Sequence, residues 1–262
     1  MYRDTWNDCH SSICSISFLN QEGIRIGSGT GFKIGNHLIT NNHVYAAPGA
    51  AYVVLCFVCE DGYTIRATKV ITYVNFQNRL QWGLPESSWD YAILDLSDAE
   101  FSTIPSLTLS DSSTIRIGQS IAVMGFQFDQ NNLSIKQGIL SSRYVRSGVK
   151  YMQIDASVNQ GNSGGPLINI DNNQVVGIVT RKHTGLTNAF DDLLNSFSDN
   201  IQILQAANQF PGHYNGINLL NGFIATQFQM KRTAEEVRRS ANVGIGYAYE
   251  LDEIRHYFMN VL

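Results

Sequence analysis

The sequence predicts an all-β architecture of two tandem barrels with a helical insertion near its end. Three observations predict it. Short β-type runs parted by Gly, Asn and Asp turns recur through the first 180 residues. They fall into two sets with a connection over 97–110. Beyond about 184 the apolar spacing changes to steps of three and four.

The first set comprises runs at 13–19, 24–26, 52–58, 64–74 and 91–96, and the second runs at 120–125, 134–141, 151–154, 166–169 and 175–180. Several short strands at such spacing belong to barrels or sandwiches. The expected domains are a first barrel over 1–105 and a second over 106–262, with the insertion at about 184–242. In that insertion Phe190, Leu193, Leu194, Phe197, Ile201 and Leu204 recur at helical spacing, and Pro211-Gly212 punctuates the end. Ile217, Leu220, Phe223, Ile224 and Phe228 predict a second helix, and the capping-box pattern Thr233-Ala234-Glu235-Glu236 a short third one. Ile254, Tyr257, Phe258 and Val261 predict a terminal helix over 252–262.

Composition narrows the function. With 262 residues, 44% hydrophobic and 15% charged, the chain can bury a sizeable core. Its 18 Lys and Arg against 22 Asp and Glu give a net charge of -4, which lacks the basic footprint of a nucleic-acid binder. The longest apolar run, 50–59, is β-rich and well short of the roughly 20 residues of a membrane-spanning helix. No membrane partner is expected. The first ten residues carry no apolar signal core, so cytoplasmic residence is expected. Cys56 and Cys59 form a C-x-x-C pair, but residues three apart on a strand point to opposite faces, so they read as structural. Cys9 and Cys14 add no disulfide framework, and no metal or cofactor is expected.

The chemistry centres on Asn159-Gln160-Gly161-Asn162-Ser163-Gly164-Gly165-Pro166-Leu167. Glycines around one serine allow a tight turn on which backbone amides and a hydroxyl converge, as acyl transfer requires. Such a serine needs a base and an orienting carboxylate. His43, in Thr40-Asn41-Asn42-His43-Val44, and Asp90, at the mouth of the apolar run Tyr91-Ala92-Ile93-Leu94, can supply them. His10, His37, His183, His213 and His256 compete for the first role, and Asp95 and Asp98 for the second.

At these residues the chain resembles the chymotrypsin-like (trypsin-fold) serine peptidases, and within them most closely the HtrA/DegP-type branch. The matching segments are Gly27-Ser28-Gly29-Thr30-Gly31-Phe32, Leu38-Ile39-Thr40-Asn41-Asn42-His43-Val44, Asp90-Tyr91-Ala92-Ile93-Leu94, Gly118-Gln119-Ser120-Ile121-Ala122-Val123-Met124-Gly125 and Gln153-Ile154-Asp155-Ala156-Ser157-Val158 leading into the serine turn. A last block, Gly244-Ile245-Gly246-Tyr247-Ala248-Tyr249-Glu250-Leu251, resembles the family's closing strand.

The resemblance implies two six-stranded Greek-key barrels and serine endopeptidase activity on protein or peptide substrates. It implies a triad of His43, Asp90 and Ser163, of which Asp90 is preferred because it directly precedes the apolar strand. It implies an oxyanion hole from the N–H groups of Gly161 and Ser163. Gly177-Ile178-Val179-Thr180 resembles the strand lining the primary pocket, which puts Thr180, Arg181 and Gly246 beside the substrate, and counting back from the nucleophile puts Ser157 near the pocket floor. Trypsin has an acid at that floor position, so a small or apolar substrate side chain is expected here. Arg181, Lys182 and His183 could attract an acidic side chain, but read first as a solvated turn.

Asn162 stands where digestive trypsins carry the aspartate that receives a new N-terminus, so that mode of activation is not expected. The relatives commonly carry a C-terminal PDZ domain; none is expected after the terminal helix. The insertion borders the pocket strand, and is expected to regulate access or receive an activating partner. The alternative function is a catalytically silent or latent peptide-binding module of a larger assembly.

Overall fold

A computed structural model describes residues 1–128, 130–180, 185–207, 213–214, 217–240 and 244–261. The polypeptide divides into two units, Met1–Lys182 with Gly244–Leu262, and His183–Val243.

The larger unit begins with helix α1 (Tyr2–Cys9), followed by strands β1 (Ile13–Leu19), β2 (Arg25–Ile34) and β3 (His37–Thr40). The one-turn helix α2 (Asn42–Tyr45) comes next, then β4 (Tyr52–Val58), β5 (Ile65–Thr72), helix α3 (Tyr73–Gln77), β6 (Leu80–Leu84) and β7 (Tyr91–Asp95). These strands form one antiparallel sheet in the order β5-β4-β1-β2-β3-β7-β6. It has seven strands rather than six, because Leu80–Leu84 adds to the outer edge of β7. Strands β8 (Ser120–Phe126), β9 (Leu133–Arg146), β10 (Val149–Asp155), β11 (Pro166–Asn169) and β12 (Gln174–Thr180) follow. The smaller unit then intervenes, with helix α4 (Gly185–Ala207), strands β13 (His213–Tyr214) and β14 (Ile217–Asn218), and helix α5 (Leu219–Ser240). Strand β15 (Ile245–Glu250) returns to the larger unit and closes a six-stranded barrel in the order β10-β15-β12-β11-β8-β9, before helix α6 (Asp252–Val261). The tandem all-β plan read from the strand pattern is therefore present, as a seven-stranded sheet followed by a closed six-stranded barrel, with a helical insertion before the last strand.

Strand alternation explains where the core sits. Cys14, Ile16 and Phe18 of β1 face the interior of the first sheet with Leu55, Phe57 and Phe76. Ile121, Val123, Met152, Ile154, Val179 and Ala248 fill the interior of the second barrel. The opposite faces meet between the barrels, where Phe32, Ile39, Tyr91 and Ile93 share a core with Ala122, Met124, Phe126, Ile178 and Tyr249. That shared core holds the edges carrying the candidate residues in register.

Helix α1 straps both halves, an element for which the sequence pattern gave no sign. Thr5 Oγ1 donates to Asn173 Oδ1 (2.7 Å) in the β11–β12 turn, and Trp6 Nε1 donates to the Glu60 carbonyl (2.9 Å) after β4. The expected strand at 64–74 ends early, at Thr72, whose hydroxyl caps α3 by accepting from the Asn75 N–H (3.2 Å).

In the smaller unit α4 and α5 are antiparallel neighbours: Asn200 bonds Gln227 (3.4 Å) and Lys231 bonds Ser198 (2.9 Å). Ile201 and Ala234 are buried there. The short third helix expected at Thr233 is corrected. Helix α5 runs unbroken through that position, because no Gly or Pro interrupts 223–240 and its Gln, Met, Lys, Arg, Ala and Glu favour helix. Ile217, expected to open the second helix, instead pairs opposite Tyr214. The Pro211-Gly212 punctuation lies outside the described residues. Among those residues no helix is long and apolar enough to cross a membrane.

Candidate active site

Asp90 sits just before β7 with φ at +45°, a left-handed conformation uncommon for a residue with a side chain. Two bonds hold it there: its N–H donates to the Pro85 carbonyl (3.1 Å), and Asn41 Nδ2 donates to its own carbonyl (2.7 Å). Strain of this kind persists only where surroundings over-determine it. The result is a carboxylate with no solvent exposure at all, aimed at the start of α2. His43 donates to it twice, from its backbone N–H to Oδ1 (3.0 Å) and from ring Nδ1 to Oδ2 (2.7 Å). Since the carboxylate oxygen accepts, Nδ1 carries the proton and Nε2 is left to accept one. A third donor, Thr180 Oγ1, reaches Oδ2 (3.2 Å) from the second barrel. A buried carboxylate thus meets three donors, as its burial requires.

The competing residues are elsewhere. Asp98 is held by the Arg79 guanidinium, one of whose bonds, Nη2 to Oδ1, is 2.9 Å, and by Lys69 (2.8 Å). The Arg79 bond, aided by Lys69, keeps its pKa down at about 2 despite partial burial. Asp95 accepts from the Ser97 hydroxyl (2.7 Å). His10 Nδ1 bonds the Trp6 carbonyl (2.8 Å), and His37 packs edge-on to Tyr257 and Phe258. His183 and the side chain of His213 lie outside the described residues.

Ser163 lies on the turn between β10 and β11. That turn is closed by Asn162 N–H to the Asn159 carbonyl (3.1 Å) and Gly165 N–H to the Asn162 carbonyl (3.0 Å). Gly161 and Gly164 take φ of +92° and +83°. Any Cβ on Gly161 would overlap the Phe126 carbonyl, and one on Gly164 the Thr30 carbonyl and Thr40 hydroxyl. The serine turn therefore lies flush against the segment 40–41 that leads to His43. Thr30, fully buried, fastens it: its N–H donates to the Ser163 carbonyl (2.9 Å) and its hydroxyl to the Gly161 carbonyl (2.6 Å), while accepting from the Phe126 N–H (3.0 Å).

The Gln160 carbonyl accepts from the Phe128 N–H (2.8 Å), so the N–H of the same trans peptide, that of Gly161, points the other way. Among the described residues neither the Gly161 N–H nor the Ser163 N–H has a protein acceptor, and no hydrogen bond joins Ser163 Oγ to His43 Nε2. Asn162 is buried and uncharged, so it needs no counter-ion.

Of the residues read as pocket-lining, Thr180 parts from Gly246 and Ser157. Thr180 faces the inter-barrel core and spends its hydroxyl on Asp90. Gly246 pairs with Ile154 and abuts Val158 and the Ala156 carbonyl. The Ser157 carbonyl accepts from Lys136 Nζ (2.7 Å). Arg181, with Lys182, lies outside the described residues. Sequence alone gives Thr30, Asn41 and Lys136 no role; the first two fall inside family-like segments, which is their only signal. The cysteines sit as core groups: burial pushes the Cys9 thiol up to about 12 and also raises Cys14 and Cys56. No grouping that could hold a metal occurs among the described residues.

The chain is similar to known proteins over the same region. Residues 27–178 match the family described as the trypsin-like peptidase domain. Serine protease HTR4 of Rattus norvegicus is 32% identical over 161 residues, covering 56% of this chain and 32% of the relative. Serine protease HTRA4 of Mus musculus is 29% identical over 217 residues, covering 76% and 44%. Serine protease Do-like HtrA of Bacillus subtilis is 31% identical over 178 residues, covering 62% and 35%. The chain thus spans less than half the length of these relatives. The solved HtrA-type protease AlgW with tripeptide shares the fold, with a TM-score of 0.54 and 24% identity over 69% of this chain and 54% of that one. The match spans more than half the sequence and includes His43, Asp90 and Ser163, and the chain belongs to the trypsin-like peptidase domain family, among relatives of the HtrA/DegP type.

Proposed function

We propose that the chain is a serine endopeptidase acting through an acyl-enzyme on Ser163. The observation that carries this reading is the buried Asp90 carboxylate bonded to His43 Nδ1 at 2.7 Å, with the serine turn seated against the same segment. In the reaction His43 Nε2 takes the Ser163 proton as Oγ attacks the substrate carbonyl, then returns it to the leaving amine. Asp90 fixes the tautomer and stabilises the imidazolium, with Thr180 and the His43 N–H holding the carboxylate in place. The Gly161 and Ser163 N–H groups receive the oxyanion; one such donor is typically worth about 10²–10³ in turnover. Water, activated by the same histidine, releases the acyl group. The Ser163–His43 hydrogen bond closes on substrate binding, as such bonds often do. Substrate lies extended along a barrel edge, gaining main-chain hydrogen bonds as an added strand.

The helical unit serves as regulator in this reading, because it enters the chain directly after Thr180 and leaves it just before β15. A partner docking on it is the expected activator. Incubation of the purified chain with an unfolded protein substrate tests the enzymatic reading. Cleavage that disappears in both Ser163→Ala and His43→Ala supports it; cleavage persisting in Ser163→Ala contradicts it.

A further inference from the structure

Lys136 occupies a position where the fold calls for an apolar side chain. It lies on β9 opposite Val123 and two residue pairs from Leu140, both of which face the interior of the second barrel. Alternation along the strand puts Lys136 in that same inward row, while Gln137, opposite Ala122, faces out. Its ammonium donates to the Ser157 carbonyl (2.7 Å), and the residue is partly buried. Three donors sit on that nitrogen, and one has this partner. No ion pair to it exists among the described residues; Asp155, near in sequence to Ser157, is exposed on the outward face of β10. Burial alone pulls its pKa below that of a free lysine, with no carboxylate sharing in the effect.

A half-buried cation without a counter-ion is costly unless a ligand supplies one. Gly246 packs directly against Val158, the residue that follows the Ser157 carbonyl held by Lys136. We propose that Lys136 is a specificity-determining residue whose ammonium receives the carboxylate of a Glu or Asp side chain, in the residue whose carbonyl Ser163 attacks. This rests on the peptidase reading and on a primary pocket at Ser157 and Gly246. It replaces the small or apolar preference expected from sequence.

The test is a set of fluorogenic peptides that differ only in the residue before the cleaved bond, Glu, Asp, Ala, Val or Arg, assayed with the full chain, Lys136→Met and Lys136→Arg. The expected result is at least a tenfold higher kcat/KM for Glu or Asp than for Ala, a ratio that collapses in Lys136→Met and survives in Lys136→Arg. A lysine that merely ties down 155–158 would lower all substrates together; an unchanged ratio in Lys136→Met, or a wild-type preference for Ala, Val or Arg, overturns the proposal. If turnover is absent, the Ser163→Ala protein is titrated with acetylated hexapeptides ending in Glu or in Ala. At least tenfold tighter binding of the Glu peptide, lost in the Lys136→Met background, supports the proposal; equal or undetectable binding of both overturns it. Fluorophosphonate labelling separates the two readings. Labelling without acidic preference sinks this one alone, whereas a chain not labelled at Ser163 sinks the peptidase reading.

Discussion

At the scale of single residues, Thr30 is the side chain whose importance is least visible in sequence and most visible in structure. Its hydroxyl is simultaneously donor to the Gly161 carbonyl and acceptor from the Phe126 N–H, and both partners are buried. Valine keeps its shape and removes both bonds. Leaving a buried polar group unpaired costs about 1–3 kcal/mol. Thr30→Val should therefore lower the denaturation free energy by about that amount or more, and reduce kcat more than KM, since Gly161 would lose its anchor. Denaturant titration and steady-state kinetics check both. His43, Asp90 and Ser163 were legible because their chemistry restricts residue type and the flanking glycines restrict geometry. Thr30 and Thr180 were not, because their partners lie 131 and 90 residues away and a hydroxyl alone announces no partner.

At the scale of elements, the Arg79–Asp98–Lys69 cluster ties the turn after α3 and the strand β5 to the connection between the barrels. Asp98 has its pKa held at about 2 in the folded chain, against about 3.9 for a free aspartate. A depressed carboxylate contributes its stability above the unfolded value and loses it as pH falls from about 4 towards about 2. The melting temperature of the native chain should therefore exceed that of Asp98→Asn at pH 6, with the gap closing by pH 2. A gap independent of pH would show that the charge is irrelevant. Short apolar strands bounded by turn residues, such as Ile13–Leu19, Tyr52–Val58 and Pro166–Asn169, match the sequence reading end for end. Weak signals fail for physical reasons: Leu80–Leu84 is a short, largely exposed edge with a glycine, and helix α1 buries only Thr5 and Cys9. The capping-box pattern at Thr233 misled because such a pattern also fits inside a continuous helix.

At the scale of the whole molecule, β12 and β15 are hydrogen-bonded neighbours, with Thr180 opposite Tyr247, so the ends joined by the helical unit lie close together. A short loop could connect them, and loop length costs little in closure entropy. Replacing 184–242 with a few Gly and Ser residues should leave a larger unit that still unfolds cooperatively. If the helices regulate access, its basal rate or its substrate profile changes; an unaltered rate and profile in a folded protein would remove the regulatory role. The two-barrel plan was legible because each barrel announces itself by strand spacing, whereas the inward lysine at 136 needs the register of β8 and β9 to be noticed. The central claim is that Ser163 is a nucleophile activated by His43. Intact-mass analysis after fluorophosphonate treatment tests it most directly. The expected result is one adduct per chain, mapped to Ser163, abolished by Ser163→Ala and strongly slowed by His43→Ala; a folded chain that gains no adduct, or gains it elsewhere, contradicts it.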